Sequence, residues 1–205
     1  MATQVRSVAN KEIVLNEAIN LLKNVQEHEF RSADIYENTG VSSSVIYSYF
    51  RSREGLIDAA FLKMYKTLCE ISQDTLYEYF KFLAEEGAPT KFSTKLDHSK
   101  HRMHEERLQN RKLRLKISAR VVTSTKFANS CKEIHNSHIL KLESLFDGLK
   151  RDGYISNQFT SSQLVMIYES LSYSWPLFEV IYEEDQTIPF AKLFEELVLH
   201  SRSEQ

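Results

Sequence analysis

Ser43, Ser44, Tyr47 and Ser48 place four hydroxyls within six residues of a stretch reading SADIYENTGVSSSVIYSYFRSREGL, from Ser32 to Leu56. On a helix from Ser43 to Phe50 these hydroxyls share the exposed face, while Val45, Ile46 and Phe50 turn inward. A hydroxyl donates and accepts hydrogen bonds without carrying charge, so such a face suits phosphate oxygens and base edges. Just upstream, Gly40 is the residue most able to take a left-handed backbone at the end of a short helix around Ile35. Val41 can plug the core where the chain reverses, and Ser42 is placed to cap the next helix. Two short helices across a tight turn form a helix-turn-helix, whose second helix enters the DNA major groove. A plain αα-hairpin would share that turn. Four serines and two tyrosines around a helix with one apolar face favour the DNA reading.

Catalysis finds no comparable pattern. The chain has no nucleophile elbow, no phosphate-cradling glycine loop, no HExxH and no carboxylate pair in an apolar setting, so no enzyme and no cofactor are expected. His98, His101 and His104 recur every three residues, and His135 and His138 repeat the spacing. A spacing of i, i+3 can present two imidazoles to one ion, but i, i+6 turns well away, and histidines on a polar helix are usually solvated; no metal is expected.

Charge is distributed unevenly. Residues 1–65 hold 7 Lys and Arg against 8 Asp and Glu, whereas residues 91–150 hold 14 against 6. With a near-neutral reading segment, phosphate contacts rest on Lys11, Arg51 and Arg53, helped by helix N-terminal amides and the Tyr47 and Tyr49 hydroxyls. Base readout falls to Ser43, Ser44 and Ser48 with a large share from DNA shape. The basic run HSKHRMHEERLQNRKLRLKISAR has three readings: a solvated helix face, a surface that faces DNA or an anionic ligand, and a metal site.

Several elements must position these residues. Only 5 Gly and 3 Pro interrupt 205 residues, so periodic apolar runs dominate and the fold is all-α. Met1 to Asn10 reads as a mobile polar arm that can touch DNA through Arg6. A first helix from about Lys11 to Val25 buries Val14, Ala18, Leu21, Leu22 and Val25. A long helix begins near Ser52, whose hydroxyl can cap it, and carries Ile57, Phe61, Met64 and Leu68 towards a stop at Glu86-Gly87-Ala88-Pro89. One helix or a broken pair covers Asp97 to about Thr125, and another runs from about Asn129 to Leu149 with Ile134, His138, Leu142 and Leu145 on one face. Ser161 or Ser162 starts a helix that Pro176 should kink or interrupt, and Pro189 opens the last. Cys69 and Cys131 lack metal spacing and suit reduced thiols in a cytoplasmic protein. The N-terminus lacks an apolar signal region, and no apolar run reaches the roughly 20 residues a membrane helix needs.

The N-terminal third resembles the TetR/AcrR-type transcriptional regulators. Their pattern of a basic opening residue, apolar and alanine positions, Gly-Val-Ser turn, aromatic pair and basic-acidic doublet is met, without insertion, by Lys11, Val14, Leu15, Ala18, Leu21, Leu22, Ile35, Gly40, Val41, Ser42, Tyr47, Tyr49, Phe50, Arg53, Glu54 and Leu56. Gln26, Phe30, Tyr36 and Arg53 depart from it, Arg53 keeping the cation. The resemblance implies a three-helix DNA-binding domain at residues 11–52, read through Lys11, Ser42, Ser43, Ser44, Tyr47, Ser48, Tyr49, Arg51 and Arg53. It also implies a helical regulatory and dimerisation domain at 53–205. There Phe80, Phe127, Phe146, Tyr168, Tyr173, Trp175 and Phe178 are candidates to line a cavity for a small-molecule effector, or simply form core. Leu164, Ile167, Leu171, Phe178, Phe190, Leu193, Phe194 and Leu197 would pack with a second copy as a homodimer on a palindromic operator. The expected function is a repressor released by its ligand. An architectural DNA-binding factor or a protein-interaction module on the same fold, without an inducer, remains the alternative.

Overall fold

The computed structural model describes residues 2–86, 102–152, 155 and 157–181, excluding the side chains at 2–7, 75, 78–86, 102–108, 175, 176, 179 and 180. Among these residues there are helices and no strand: α1 (Ala2–Asn24), a 3₁₀ turn (Glu27–Glu29), α2 (Ser32–Thr39), α3 (Ser43–Phe50), α4 (Arg53–Glu86), α5 (Arg102–Thr123), α6 (Thr125–Arg151) and α7 (Ser161–Ile181). The chain divides into two compact units. One comprises Met1–Thr67 with Arg120–Cys131, the other Leu68–Ala119 with Lys132–Gln205.

The first unit is larger than the 11–52 segment expected to read DNA, because it takes in the start of α4 and the α5–α6 corner. Residues 2–10, read from sequence as a polar arm, are helical and continuous with Lys11 in α1. No glycine or proline separates the two stretches, so nothing stops the helix from propagating backward. The side chain of Arg6 lies outside the described residues.

The inner stripe of α1 is Val14, Ala18 and Leu22, all essentially inaccessible, and it packs with α2 and α3. Phe30, Ile35, Ile46, Leu56, Ile57, Phe61 and Phe127 complete this core at 1% exposure or less. Each such side chain contributes about 1.5–3 kcal/mol of transfer free energy. Phe127 meets Phe61 edge-on, with ring centroids 6.4 Å apart and planes at 64°. At the corner Ser124 caps α6, its hydroxyl accepting the Phe127 N–H at 3.2 Å.

The second unit packs Leu76 of α4 with Leu142, Phe146 and Leu149 of α6 and Leu164, Val165 and Tyr168 of α7. Its α7 starts at Ser161, as expected, and Thr160 caps it. Thr160 Oγ1 accepts the Gln163 N–H at 3.1 Å and the Gln163 side chain accepts the Thr160 N–H at 2.8 Å, a reciprocal capping box. Ser161 instead bonds Asp147, and Ser162 bonds Glu143 at 2.6 Å. The helix runs across Pro176 to Ile181 without interruption. The helix expected after Pro189 lies outside the described residues, and no helix among the described residues is long and apolar enough to cross a membrane.

Candidate nucleic-acid interface

The turn between α2 and α3 is made by Gly40 at φ 69°, whose N–H reaches the Tyr36 carbonyl at 2.8 Å. Thr39 ties the corner further, donating to the Ile35 carbonyl at 2.6 Å and accepting the Val41 N–H at 3.2 Å. Ser42 holds an extended backbone immediately before α3, but its hydroxyl bonds Ser44 at 3.0 Å and caps no backbone N–H.

The eight residues of α3 then divide cleanly. Ile46 and Phe50 are buried and Val45 half-buried, while Ser43, Ser44, Tyr47 and Ser48 are exposed together. Ser48 donates back to the Val45 carbonyl at 2.7 Å. The Tyr47 hydroxyl meets Ser32 Oγ at 2.8 Å, joining the face of α3 to the first residue of α2. Ser32 was not singled out by sequence; its position at the start of α2, fifteen residues before Tyr47, becomes meaningful only once the turn folds. Tyr49 is half-buried with its ring edge-on to Phe50 at 6.3 Å.

At the end of α3, Arg51 stands at φ 66°, the one non-glycine with positive φ among the described residues. Its N–H closes on the Tyr47 carbonyl at 2.8 Å and the Ser52 N–H on that of Phe50 at 2.8 Å, so the chain reverses within two residues. The Ser52 hydroxyl then accepts the Gly55 N–H at 3.0 Å, capping α4 as its position predicts. Gly55 is a second residue that sequence reading passed over. A Cβ there would lie 2.1 Å from the Phe50 carbonyl oxygen, so only glycine lets α4 begin this close to the end of α3.

The three cations expected to meet phosphate behave differently. Arg51 is exposed, and Lys11 is exposed on α1 with its ammonium 5.9 Å from the centre of the Phe50 ring, beside the end of α3. Arg53 is engaged within the unit. Its guanidinium lies over the Phe30 ring, donates to the Phe30 carbonyl at 3.0 Å and to the Glu27 carbonyl, and pairs with Glu54 at 2.6 Å. These carbonyls flank the 3₁₀ turn, and the planar fork of Arg53 bonds both.

The basic central run sends Arg120 into the same unit, against Glu27, Glu54 and Asp58. The Glu54 carboxyl is held below its ordinary range, chiefly by its hydrogen bond from Arg120. Burial raises the Cys131 thiol, with a smaller push from the Asp58 carboxylate.

The candidate effector residues are split between units. Phe127 belongs to the first, on Phe61. Phe146 is wholly buried in the second, and Tyr168 is buried there with its hydroxyl 2.7 Å from that of Ser72; burial raises the phenol and this bond partly offsets it. Tyr173 is half-buried and Phe178 half-exposed, while the side chains of Phe80 and Trp175 lie outside the described residues. Among the candidate dimer contacts Leu164 is core at 1% exposure, and Ile167 and Leu171 are partly buried against it. Among the described residues of α7, the outward large apolar ones are Met166, Leu177, Phe178 and Ile181. Phe190, Leu193, Phe194 and Leu197 lie outside the described residues, as do the side chains of His98, His101 and His104. His138 is buried, with Nδ1 2.7 Å from the Gln73 amide nitrogen and Nε2 3.1 Å from a Glu169 oxygen. Both ring nitrogens are therefore engaged by side chains.

No family model matches this sequence, and no curated protein matches it. Solved structures do match in fold. Salmonella enterica GusR superposes with a TM-score of 0.60 at 15% identity, over 91% of this chain and 92% of that one. A Rhodococcus sp. protein described as a TetR-family transcriptional regulator superposes with a TM-score of 0.58 at 16% identity, over 91% and 94%. The chain has the all-α fold of TetR-family regulators.

Proposed function

We propose that this chain, on the fold it shares with those proteins, is a sequence-specific DNA-binding transcriptional regulator that acts as a homodimer. The observation that carries the reading is local: a left-handed Gly40 turn presents Ser43, Ser44, Tyr47 and Ser48 together on the outer face of a short helix whose inner face is buried. In the major groove those hydroxyls reach base edges and phosphates, with Lys11 and Arg51 supplying charge at the end of α3. Two-fold pairing through the outward apolar residues of α7 would give two reading heads and a palindromic operator.

The regulatory half of the proposal is repression released by a small molecule bound in the second unit. A ligand changes operator affinity only by binding the two states of the protein unequally. α4, α5 and α6 each contribute residues to both units, so the same helices serve reading and regulation. A protein-interaction role is the competing reading, favoured by the near-neutral charge of residues 1–65. Selection of duplexes from a random pool, followed by footprinting, separates the two. A competitor-resistant, two-fold symmetric footprint supports the regulator, and binding erased by modest salt with no selected sequence supports the interaction module.

A further inference from the structure

Arg120 lies at the end of α5, 93 positions from Glu27 in sequence, with a side chain only 13% exposed. Its Nη1 donates to Glu27 Oε1 at 2.5 Å and its Nη2 to Glu54 Oε2 at 2.8 Å, while Nε and Nη2 reach Asp58 Oδ1 at 3.0 and 2.8 Å. Three carboxylates from two elements therefore converge on one guanidinium. Burial alone would lower its pKa, and the Glu54 and Asp58 hydrogen bonds together with the Glu27 and Asp58 charges raise it overall.

Glu27 opens the 3₁₀ turn that joins α1 to α2, whereas Glu54 and Asp58 stand one turn apart at the start of α4. That three-residue turn contains no buried residue; the Glu29 carboxylate holds the Gln26 N–H at 2.8 Å, and the Phe30 N–H closes on the Glu27 carbonyl at 3.4 Å. Side chains from elsewhere tie it to the rest of the unit. Arg53 takes the Glu27 and Phe30 carbonyls, and Arg120 takes the Glu27 carboxylate and binds it to α4. Glu54 is shared by both guanidiniums. Without Arg120 three carboxylates would face one another across the junction, and a lysine lacks the planar fork needed to satisfy all three.

We infer that Arg120 is a positioning residue of the DNA-reading unit: it locks the turn before α2 onto the start of α4, and so sets where the α2–α3 pair is held, without touching DNA. This rests on the proposed function, because only DNA binding gives the position of α3 a reader.

The test uses the full chain and the duplex that wild-type protein selects from a random pool. Arg120→Gln should bind that duplex at least about tenfold more weakly at a temperature where its helical signal matches wild type, with Arg120→Lys between the two. The slope of log affinity against log salt should stay unchanged, and amide exchange should accelerate at residues 26–30 and 52–58. Glu27→Gln, which leaves the α4 pairs intact, should show the same loss in smaller measure and keeps the test open if Arg120→Gln does not fold. A slope shallower by about one per lost cation would make Arg120 a phosphate contact and overturn the proposal. Unchanged affinity with unchanged exchange would overturn it equally. If wild-type protein selects no duplex, the DNA-binding reading fails, and the exchange measurement still decides whether Arg120 holds the turn.

Discussion

Raising monovalent salt from about 50 to about 200 mM should weaken operator binding by roughly 150-fold, much less than for a basic reading head. The number follows from which cations are already engaged. Arg31 pairs with Asp34 at 3.2 Å, Lys63 with Glu12, Arg53 with Glu54, and Arg120 with three carboxylates. Beside α3 this leaves Lys11 and Arg51, neither with an acidic partner among the described residues. Two cations per head make about four per dimer, and at about 0.9 per phosphate the slope of log affinity against log salt is about −3.6. Fluorescence anisotropy of a labelled operator duplex at five or six salt concentrations measures it. Arg51→Gly supplies an internal check. Glycine accepts φ 66° without the strain an arginine carries there, so the variant should melt no lower than wild type while its dimer slope becomes shallower by about two. A wild-type slope steeper than about −7, near eight phosphates, would mean that the ion pairs above open onto DNA, and would refute the inventory.

Other outcomes follow from the same geometry. Gly55→Ala should cost about 1–3 kcal/mol in urea unfolding, because its Cβ would overlap the Phe50 carbonyl. Gly40→Ala, with open space around the site but φ 69°, should cost only the backbone term of about 1–2 kcal/mol; equal effects above 3 kcal/mol would contradict the distinction. Glu54 has a folded pKa below its unfolded one, so its contribution is full above the unfolded value and is lost as pH falls through the folded value. The stability gap between wild type and Glu54→Gln should therefore narrow on acidification through the carboxylate range, and a gap that widens in acid would refute the pairing. Cys131, buried and with its thiol raised, should react with a thiol reagent only as fast as the protein opens; labelling at the rate of an unfolded peptide would show that this packing is wrong.

The parts legible in the sequence were those governed by neighbours within a few residues. Gly40 and the alternation of Ile46 and Phe50 with the hydroxyls of α3 define a turn and a face wherever they occur, so both appear as expected. Gly55 was missed because the feature that demands it is a carbonyl oxygen five residues back, visible only after α3 has ended. Arg53 reads as a phosphate contact and Arg120 only as part of a basic run with three readings, since nothing in spacing reveals that Glu27 meets both. Phe127 and Phe146 read alike as candidates to line one cavity, yet the first packs on Phe61 in one unit and the second in the core of the other. Periodicity says which face is buried and is silent on the partner.

The division of the first unit between Met1–Thr67 and Arg120–Cys131 also sets a schedule. On the ribosome, the residues through Thr67 are made well before Arg120 and Cys131. At about 5–20 residues per second the head waits roughly 3 to 13 s for the segment that completes it. During that interval Glu27, Glu54 and Asp58 stand without Arg120, and Phe61 without Phe127. A prematurely terminated chain ending before Arg120 would thus carry every residue of the helix-turn-helix and still lack what holds it in place. Truncated products of this protein should not compete with the complete one for DNA.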